Sequence, residues 1–281
     1  MKSKCPICYS NNIKLLDFGG YKYQDKEFDL VKCLDCRLMF LSPMPDEFFL
    51  TKLYQEEEYF EKDYGGGVDV NYKESYLANL KKHQEIISRI KKYKKSGRLL
   101  EVGCAGGYFL KVAQESGFEA EGVEISSQLA NFGQKELGLN IKIGKIGDFN
   151  LPENHYDVIY LGDVLEHIYS IDFFMNKVNK ILKPGGLLYV DLPATYNFTL
   201  LSLLMSPFVF LKNLSLSKKY LLFKERRVKK PKNPPYHLYE FTPDSVKNLM
   251  NKYDFKTVKL ITHDGWPKSK NYRSLKGKII S

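Results

Sequence analysis

From Arg98 to Leu192 the chain alternates short apolar runs with amphipathic stretches, and this alternation leaves few folds open. Strands are predicted at Leu99–Val102, Glu119–Val123, Ile141–Ile143, Asp157–Leu161 and Leu187–Leu192, with helices at Tyr108–Ser116, Ser127–Leu137 and Ile171–Leu182. Parallel neighbours need a crossover segment between them, so this order builds a parallel sheet with helices on both faces. Ser126 or Ser127 suits the N-cap of the second helix. Pro243–Tyr253 reads as one more helix and Thr257–Thr262 as one more strand, and no internal repeat is visible. The fold class is α/β, a doubly wound, mostly parallel sheet.

Upstream, apolar residues at Tyr76, Leu77, Leu80, Ile86, Ile87, Ile90 and Tyr93 recur with a helical period, which predicts an amphipathic helix over Tyr76–Lys95 closed by Ser96-Gly97. Gly65-Gly66-Gly67 marks a joint. It separates a first domain with its linker, 1–64, from a larger domain, 65–281. The first domain carries Cys5-Pro6-Ile7-Cys8 and, after 24 residues, Cys33-Leu34-Asp35-Cys36. Two such pairs suit one tetrahedral structural zinc ion held by Cys5, Cys8, Cys33 and Cys36. The segment between them, short strands around a Gly19-Gly20 turn, resembles a zinc ribbon. A redox role for either pair is the alternative.

The stretch Leu99-Leu100-Glu101-Val102-Gly103-Cys104-Ala105-Gly106-Gly107 is a strand running into a glycine bend, where an open α/β sheet binds its ligand. The bend lacks the glycine-lysine-serine/threonine run of a phosphate loop and the G-x-G-x-x-G spacing of a dinucleotide site. An acid at the end of the next strand, Glu124, can accept hydrogen bonds from both ribose hydroxyls, and Glu101 can meet a cationic amino-acid group. Together they describe a nucleoside that carries positive charge.

These residues resemble the class I S-adenosylmethionine-dependent methyltransferases from Arg98 to Leu192, with further matches near the end. Glu101–Gly107 matches the glycine motif, Glu124 the ribose-binding acid, and Gly147-Asp148-Phe149 the site near the adenine. Tyr156–His167 resembles the fourth strand and its loop, and Leu182-Lys183-Pro184-Gly185-Gly186 the turn before the fifth. The resemblance implies a seven-stranded sheet and a cofactor held by Glu101, Gly103, Cys104, Ala105, Gly107, Glu124, Ile125, Asp148, Phe149 and Gly162. Ala105 departs from the motif, which has glycine at its middle position. The zinc ribbon and the run Tyr236–Thr242 resemble a subgroup acting on surface-polysaccharide sugars or other small metabolites. The acceptor this implies is a small molecule or glycan, methylated on oxygen.

A hydroxyl acceptor needs a general base, and histidine is the natural choice. His83, His155 and His263 lie where a structural role is expected. His167 follows the fourth strand, as base or as an ordering element of its loop, and His237 lies in the subgroup run. Asp163 is the third candidate, as base or as an N-cap, while Cys104 is expected to be a small packed side chain.

The insertion 197–235 opens with the apolar run Phe198–Leu211 and continues into a basic half. It suits a lid over the pocket or, over 198–232, peripheral contact with an anionic membrane. The net charge of +10 is concentrated in 81–98, 212–232 and 267–281. In the first and last of these, a solvated face is expected. The start, MKSKCPICYS, has no apolar run after its lysines, and Pro207 breaks the longest apolar stretch, so a cytoplasmic protein is expected. The alternatives are an RNA methyltransferase and a non-catalytic cofactor-binding scaffold. Against RNA, Leu161-Gly162-Asp163-Val164 stands where enzymes acting on exocyclic base nitrogens carry an N/D-P-P-aromatic motif. Nothing in the sequence signals an oligomeric state.

Overall fold

A computed structural model describes residues 4–16, 20–23, 25–50, 72–193, 235, 237–261 and 274–280. The glycine joint Gly65–Gly67, the insertion 197–235 apart from Pro235, and His263 lie outside the described residues. The described elements are, in order, β1 (Ile13–Leu15), β2 (Tyr21–Tyr23), β3 (Lys26–Cys33), β4 (Met39–Ser42), α1 (Tyr72–Ile90), β5 (Gly97–Val102), α2 (Tyr108–Glu115), β6 (Phe118–Glu124) and α3 (Ser127–Leu137). They continue with β7 (Ile141–Ile143), β8 (Tyr156–Gly162), α4 (Ile171–Ile181), β9 (Leu182–Pro193), β10 (Tyr239–Glu240), α5 (Pro243–Lys252), β11 (Lys256–Ile261) and β12 (Ser274–Ile280). Short 3-10 turns cover Ile146–Asp148 and Leu165–His167. No helix among the described residues is long and apolar enough to cross a membrane.

The chain divides into two compact units, one drawing on Met1–Pro45, Pro193–Ser245 and Thr262–Leu275, the other on Asp46–Leu192, Val246–Ile261 and Lys276–Ser281. In the first, strands pair in the order β1-β3-β4-β10, with β2 also on β3, and every pairing is antiparallel. Sequence placed 65–281 in a single domain, yet Tyr239 and Glu240 pair with Phe40 and Met39 of the amino-terminal sheet. The physical reason is the open edge of β4, which needs a partner. The returning segment supplies one, together with buried Leu238, Tyr239 and Phe241.

In the second unit the order β11-β12-β9-β8-β5-β6-β7 makes a seven-stranded sheet. The pairs β5·β6, β5·β8, β6·β7 and β8·β9 are parallel, and β11·β12 is antiparallel. The doubly wound, mostly parallel sheet is therefore present. From β5 the chain winds outward through β6 and β7, then returns to β8 on the other side, so the loops after β5 and β8 diverge. Such a switch point opens a crevice at the carboxyl ends of the strands. The α1 and α2 face of the sheet is packed by Ile86, Ile87, Ile90, Leu99, Phe109, Leu110, Val158 and Leu187.

The structure departs from the sequence reading in several places, and the first helix already begins at Tyr72. Helix α1 stops at Ile90, its last fully buried residue, and Lys91–Lys95 continues as a turn in which Lys94 N donates to Ile90 O at 3.0 Å. The Lys-Pro-Gly-Gly segment is a bulge within β9: Tyr156 pairs with Leu182 and Val158 already with Leu187, and Gly185 adopts φ 71. Within the basic stretch 267–281, Ser274–Ile280 forms β12 between β9 and β11, an element the sequence reading did not include.

Leu110 is fully buried against the sheet. Leu110→Ala is expected to lower stability by about 2–5 kcal/mol, read from the denaturant midpoint of the second unit's transition.

Candidate functional site

The loop after β5 is held by the neighbouring strand. Gly103 N and Cys104 N both donate to Val123 O, at 2.8 and 3.3 Å. Glu124, at the end of β6, then fixes the loop with both carboxylate oxygens: Oε2 accepts from Ala105 N at 2.7 Å and Oε1 from Ser126 N at 2.8 Å. Ala105 stands at φ 47, the left-handed region that a glycine would enter freely. An alanine there costs about 1–2 kcal/mol, which the Glu124 hydrogen bond offsets. Gly107, at φ 81, caps α2, and a Cβ on it would lie 2.2 Å from Leu139 Cδ1. Ser126 caps α3 through Leu129 N, as the sequence predicts.

Glu101 and Glu124 are both buried. Burial, and then the Glu124 charge, push the Glu101 carboxyl well above its ordinary range, while Lys82 opposes the shift. Glu101 Oε2 is buried with no hydrogen-bond partner among the described residues. Burial also raises Glu124, against the pull of the Ser126 and Ala105 N–H groups. Two buried acids at adjacent strand ends, one with an oxygen unused, form a wall suited to a cation. Cys104 is pushed up by burial and by the two acids, and it packs where a Cβ on Gly122 would lie 2.5 Å from its sulfur. An inert, packed thiol is the expected result.

Of the other expected contacts, Ile125 and Phe149 are half-buried and Asp148 is exposed. Asp148 Oδ2 accepts from Lys145 N at 2.7 Å and closes its own 3-10 turn, while Phe149 O accepts from Lys177 Nζ at 3.0 Å. Gly162 faces Tyr160, whose hydroxyl would lie 2.6 Å from a Cβ added there. Asp163 does not cap a helix: the turn at Leu165–His167 starts after Val164, and Asp163 sits at φ 55 with its N–H on Asp191 O at 3.0 Å. His167 lies mostly buried beside Glu166, Nε2 to Oε1 3.9 Å. His237 belongs to the first unit, where Nδ1 is 3.4 Å from Glu240 Oε1. The sequence reading missed Tyr160 and Asp191, both buried near the ends of β8 and β9. An acid within the apolar run Leu-Leu-Tyr-Val-Asp-Leu was the available signal.

In the first unit Cys5, Cys8, Cys33 and Cys36 bring their sulfurs within 4.8 Å of one another. Cys5 Sγ stands 3.4 Å from Cys36 Sγ, and Cys8 Sγ 3.5 Å from Cys33 Sγ. Four sulfurs about 2.3 Å from one zinc ion stand about 3.8 Å apart, so the cluster fits a tetrahedral ion, and it lies far from the ~2 Å of a disulfide. The two pairs share one turn. Tyr9 N donates to Cys5 O and Arg37 N to Cys33 O, and Tyr9 and Arg37 both have positive φ, 58 and 67. The Cys36 thiol beside it lowers Cys5 to about 5, which favours a thiolate donor.

The profile described as "Methyltransferase domain" matches residues 74–260, two thirds of the chain. A ubiquinone biosynthesis O-methyltransferase of Brucella anthropi is 32% identical over 108 residues, 37% of this chain and 42% of that protein. One of Pelagibacter ubique is 31% identical over 112 residues, 38% and 45% of the two chains. The chain thus spans under half the length of these relatives. A structure of a SAM-dependent methyltransferase from Leishmania major superposes with a TM-score of 0.51 at 14% identity, covering 77% of this chain and 76% of that one, a likeness of fold.

Because Glu101 keeps its proton in the folded chain at a pH where the unfolded chain has lost it, the folded state binds more protons, and stability falls as pH rises above the ordinary value of 4.5. Glu101→Gln is expected to raise the ligand-free melting temperature at pH 7. The gain should vanish as pH falls toward 4.5, where both forms are neutral. A gain that persists unchanged to pH 4 would contradict this account.

Proposed function

Because this chain belongs to the methyltransferase-domain family, we propose that it is an S-adenosylmethionine-dependent methyltransferase acting on a hydroxyl of a small molecule. The observation that carries the reading is Glu101 Oε2, buried and without a partner among the described residues, beside Glu124 at the crevice of the switch point. The donor supplies an activated methyl on a sulfonium. The chain's task is to bind that cation, align an acceptor behind the methyl carbon and exclude water.

Glu101 takes the donor's ammonium. Glu124 keeps acceptor capacity beyond its backbone partners Ala105, Ser126 and Ile125, and this receives the ribose hydroxyls. Gly103, Cys104, Ala105 and Gly107 line the donor with backbone, Ile125, Asp148 and Phe149 frame its adenine, and Gly162 borders its methionine end. The proton of an acceptor hydroxyl goes to His167, His237 or Asp163. Of these, His167 and Asp163 lie in the same unit as the donor loop. The relatives named as O-methyltransferases favour oxygen as the methylated atom. A sugar-containing acceptor rests on the resemblance of the zinc ribbon and of Tyr236–Thr242. In the first unit, Cys5, Cys8, Cys33 and Cys36 hold a structural zinc ion, and the two matching turns support this.

Two measurements test the reading. With labelled donor and cell extract, label is expected in a ribonuclease-resistant, low-molecular-weight fraction. Label in RNA would overturn the acceptor class, label in the lipid phase would assign a lipid-linked acceptor, and failure of the purified chain to bind the donor would overturn the whole reading. Glu124→Ala should weaken donor binding at least about tenfold, since it removes charge-assisted bonds to ligand and loop. Metal analysis should find one zinc per chain, and a chelator should lower the melting temperature of the wild type but not of a Cys5→Ser/Cys36→Ser variant. Metal-free protein with four reactive thiols and an unchanged melting temperature would refute the metal site.

A further inference from the structure

On the sheet face beneath α1 and α2, the register sets Glu101, Tyr160 and Tyr189 side by side, and one step further toward the carboxyl ends it sets Gly162 beside Asp191. The missing side chain of Gly162 is what admits the Tyr160 hydroxyl, 2.6 Å from where a Cβ would stand. From that place the hydroxyl donates to Asp191 Oδ2 at 3.3 Å. Asp191 is 1% and Tyr160 4% exposed, and the Phe109 ring closes over Tyr160 at 4.2 Å between centroids. Asp191 O also accepts from Asp163 N, so the pair is tied to the loop that follows β8. Burial and then the Asp191, Glu101 and Asp163 charges push the Tyr160 phenol well above its usual range, and it stays a protonated donor. The donor contacts proposed above use neither residue.

We infer that Asp191, acting through Tyr160, makes the donor subsite selective for a positively charged ligand, so that the sulfonium donor is held in preference to the neutral thioether product. The inference rests on the donor reading of the preceding section. In the transfer, the bond from methyl carbon to acceptor oxygen forms as the carbon–sulfur bond breaks. The electron pair stays on sulfur, and the acceptor proton passes to the base. Sulfur loses its charge, while the ammonium, carboxylate and nucleoside parts are unchanged. Contacts to those shared parts hold donor and product alike, so discrimination needs a negative potential that acts on the sulfur. Tyr160, its proton committed to Asp191, has only oxygen lone pairs to offer the crevice, and the Asp191 charge behind it strengthens them. Asp191 is thus a positioning residue, with no contact to the reacting atoms.

Calorimetric titration of the full chain with S-adenosylmethionine and, separately, S-adenosylhomocysteine tests this. Asp191→Asn should weaken donor binding about five- to tenfold more than product binding, and Asp191→Glu should restore the wild-type ratio to within about twofold. Tyr160→Phe, which leaves the acid but removes the oxygen, should shift the ratio the same way by about two- to threefold. Equal weakening of both ligands in Asp191→Asn, or an unchanged ratio in Tyr160→Phe, would overturn the inference while leaving the donor reading intact. Wild-type chain that binds neither ligand would overturn the donor reading itself.

Discussion

The site depends on one buried carboxylate. Glu124 accepts Ala105 N on one oxygen and Ser126 N on the other, and so couples the loop after β5 to the loop after β6. Each loop starts a helix: α2 is capped by Gly107 and α3 by Ser126. A single side chain therefore ties together the two loops from which these helices start. The arrangement also explains how the loop accepts Ala105 in a left-handed conformation, since a charge-assisted hydrogen bond of about 1.5–3 kcal/mol exceeds the strain of about 1–2 kcal/mol. The loop is specified by its contacts as much as by its glycines.

Packing alone has no use for the acids gathered at these strand ends. Glu101, Glu124, Glu166 and Asp191 are all buried, and at Glu101, which has an oxygen with no partner among the described residues, an apolar residue of similar volume would leave a more stable sheet. Elsewhere in the same sheet acids are paired: Glu121, one residue back from the level of Glu101, with Lys142 and Tyr156, and Asp157, near the start of β8, with Lys183 at 2.8 Å. Their carboxyls are lowered, where Glu101 is raised. Those acids are satisfied internally, whereas Glu101 keeps an oxygen with no partner among the described residues. Such a local conflict with stability is what functional or strained sites carry.

Much of this was legible in the sequence because the signals are local. Strand period, the glycine bend, the capping serine and the spacing of the cysteine pairs are each written within a few residues, and each reappears in β5–β9, in Gly107, in Ser126 and in the two matched cysteine turns. What escaped the sequence reading depends on pairing across distance. Ser274–Ile280 belongs to a basic tail in the sequence, and only its pairing between β9 and β11 makes it a strand. Tyr160 and Asp191 are 31 residues apart and meet through the register of two strands and an absent side chain at Gly162. His237 follows the sheet in sequence but is claimed by the free edge of β4, a demand no local pattern records.

That last pairing bears on how the first unit folds. Its sheet joins residues near 40 to residues near 240, so β10 cannot dock until the chain between has been made and the β4 edge has formed. The sheet is small, and small sheets need a staple beyond their own apolar burial. The two cysteine turns lie on either side of β1, β2 and β3, with Cys33 closing β3 itself, so an ion held by the four sulfurs would lock β3 against the amino-terminal turn. The β3–β4 hairpin is then fixed by Cys33 N on Leu38 O at 2.8 Å and by the pairing of Lys32 with Met39. An ion bound there would make metal binding, hairpin formation and docking of the segment that carries His237 successive steps of one folding sequence.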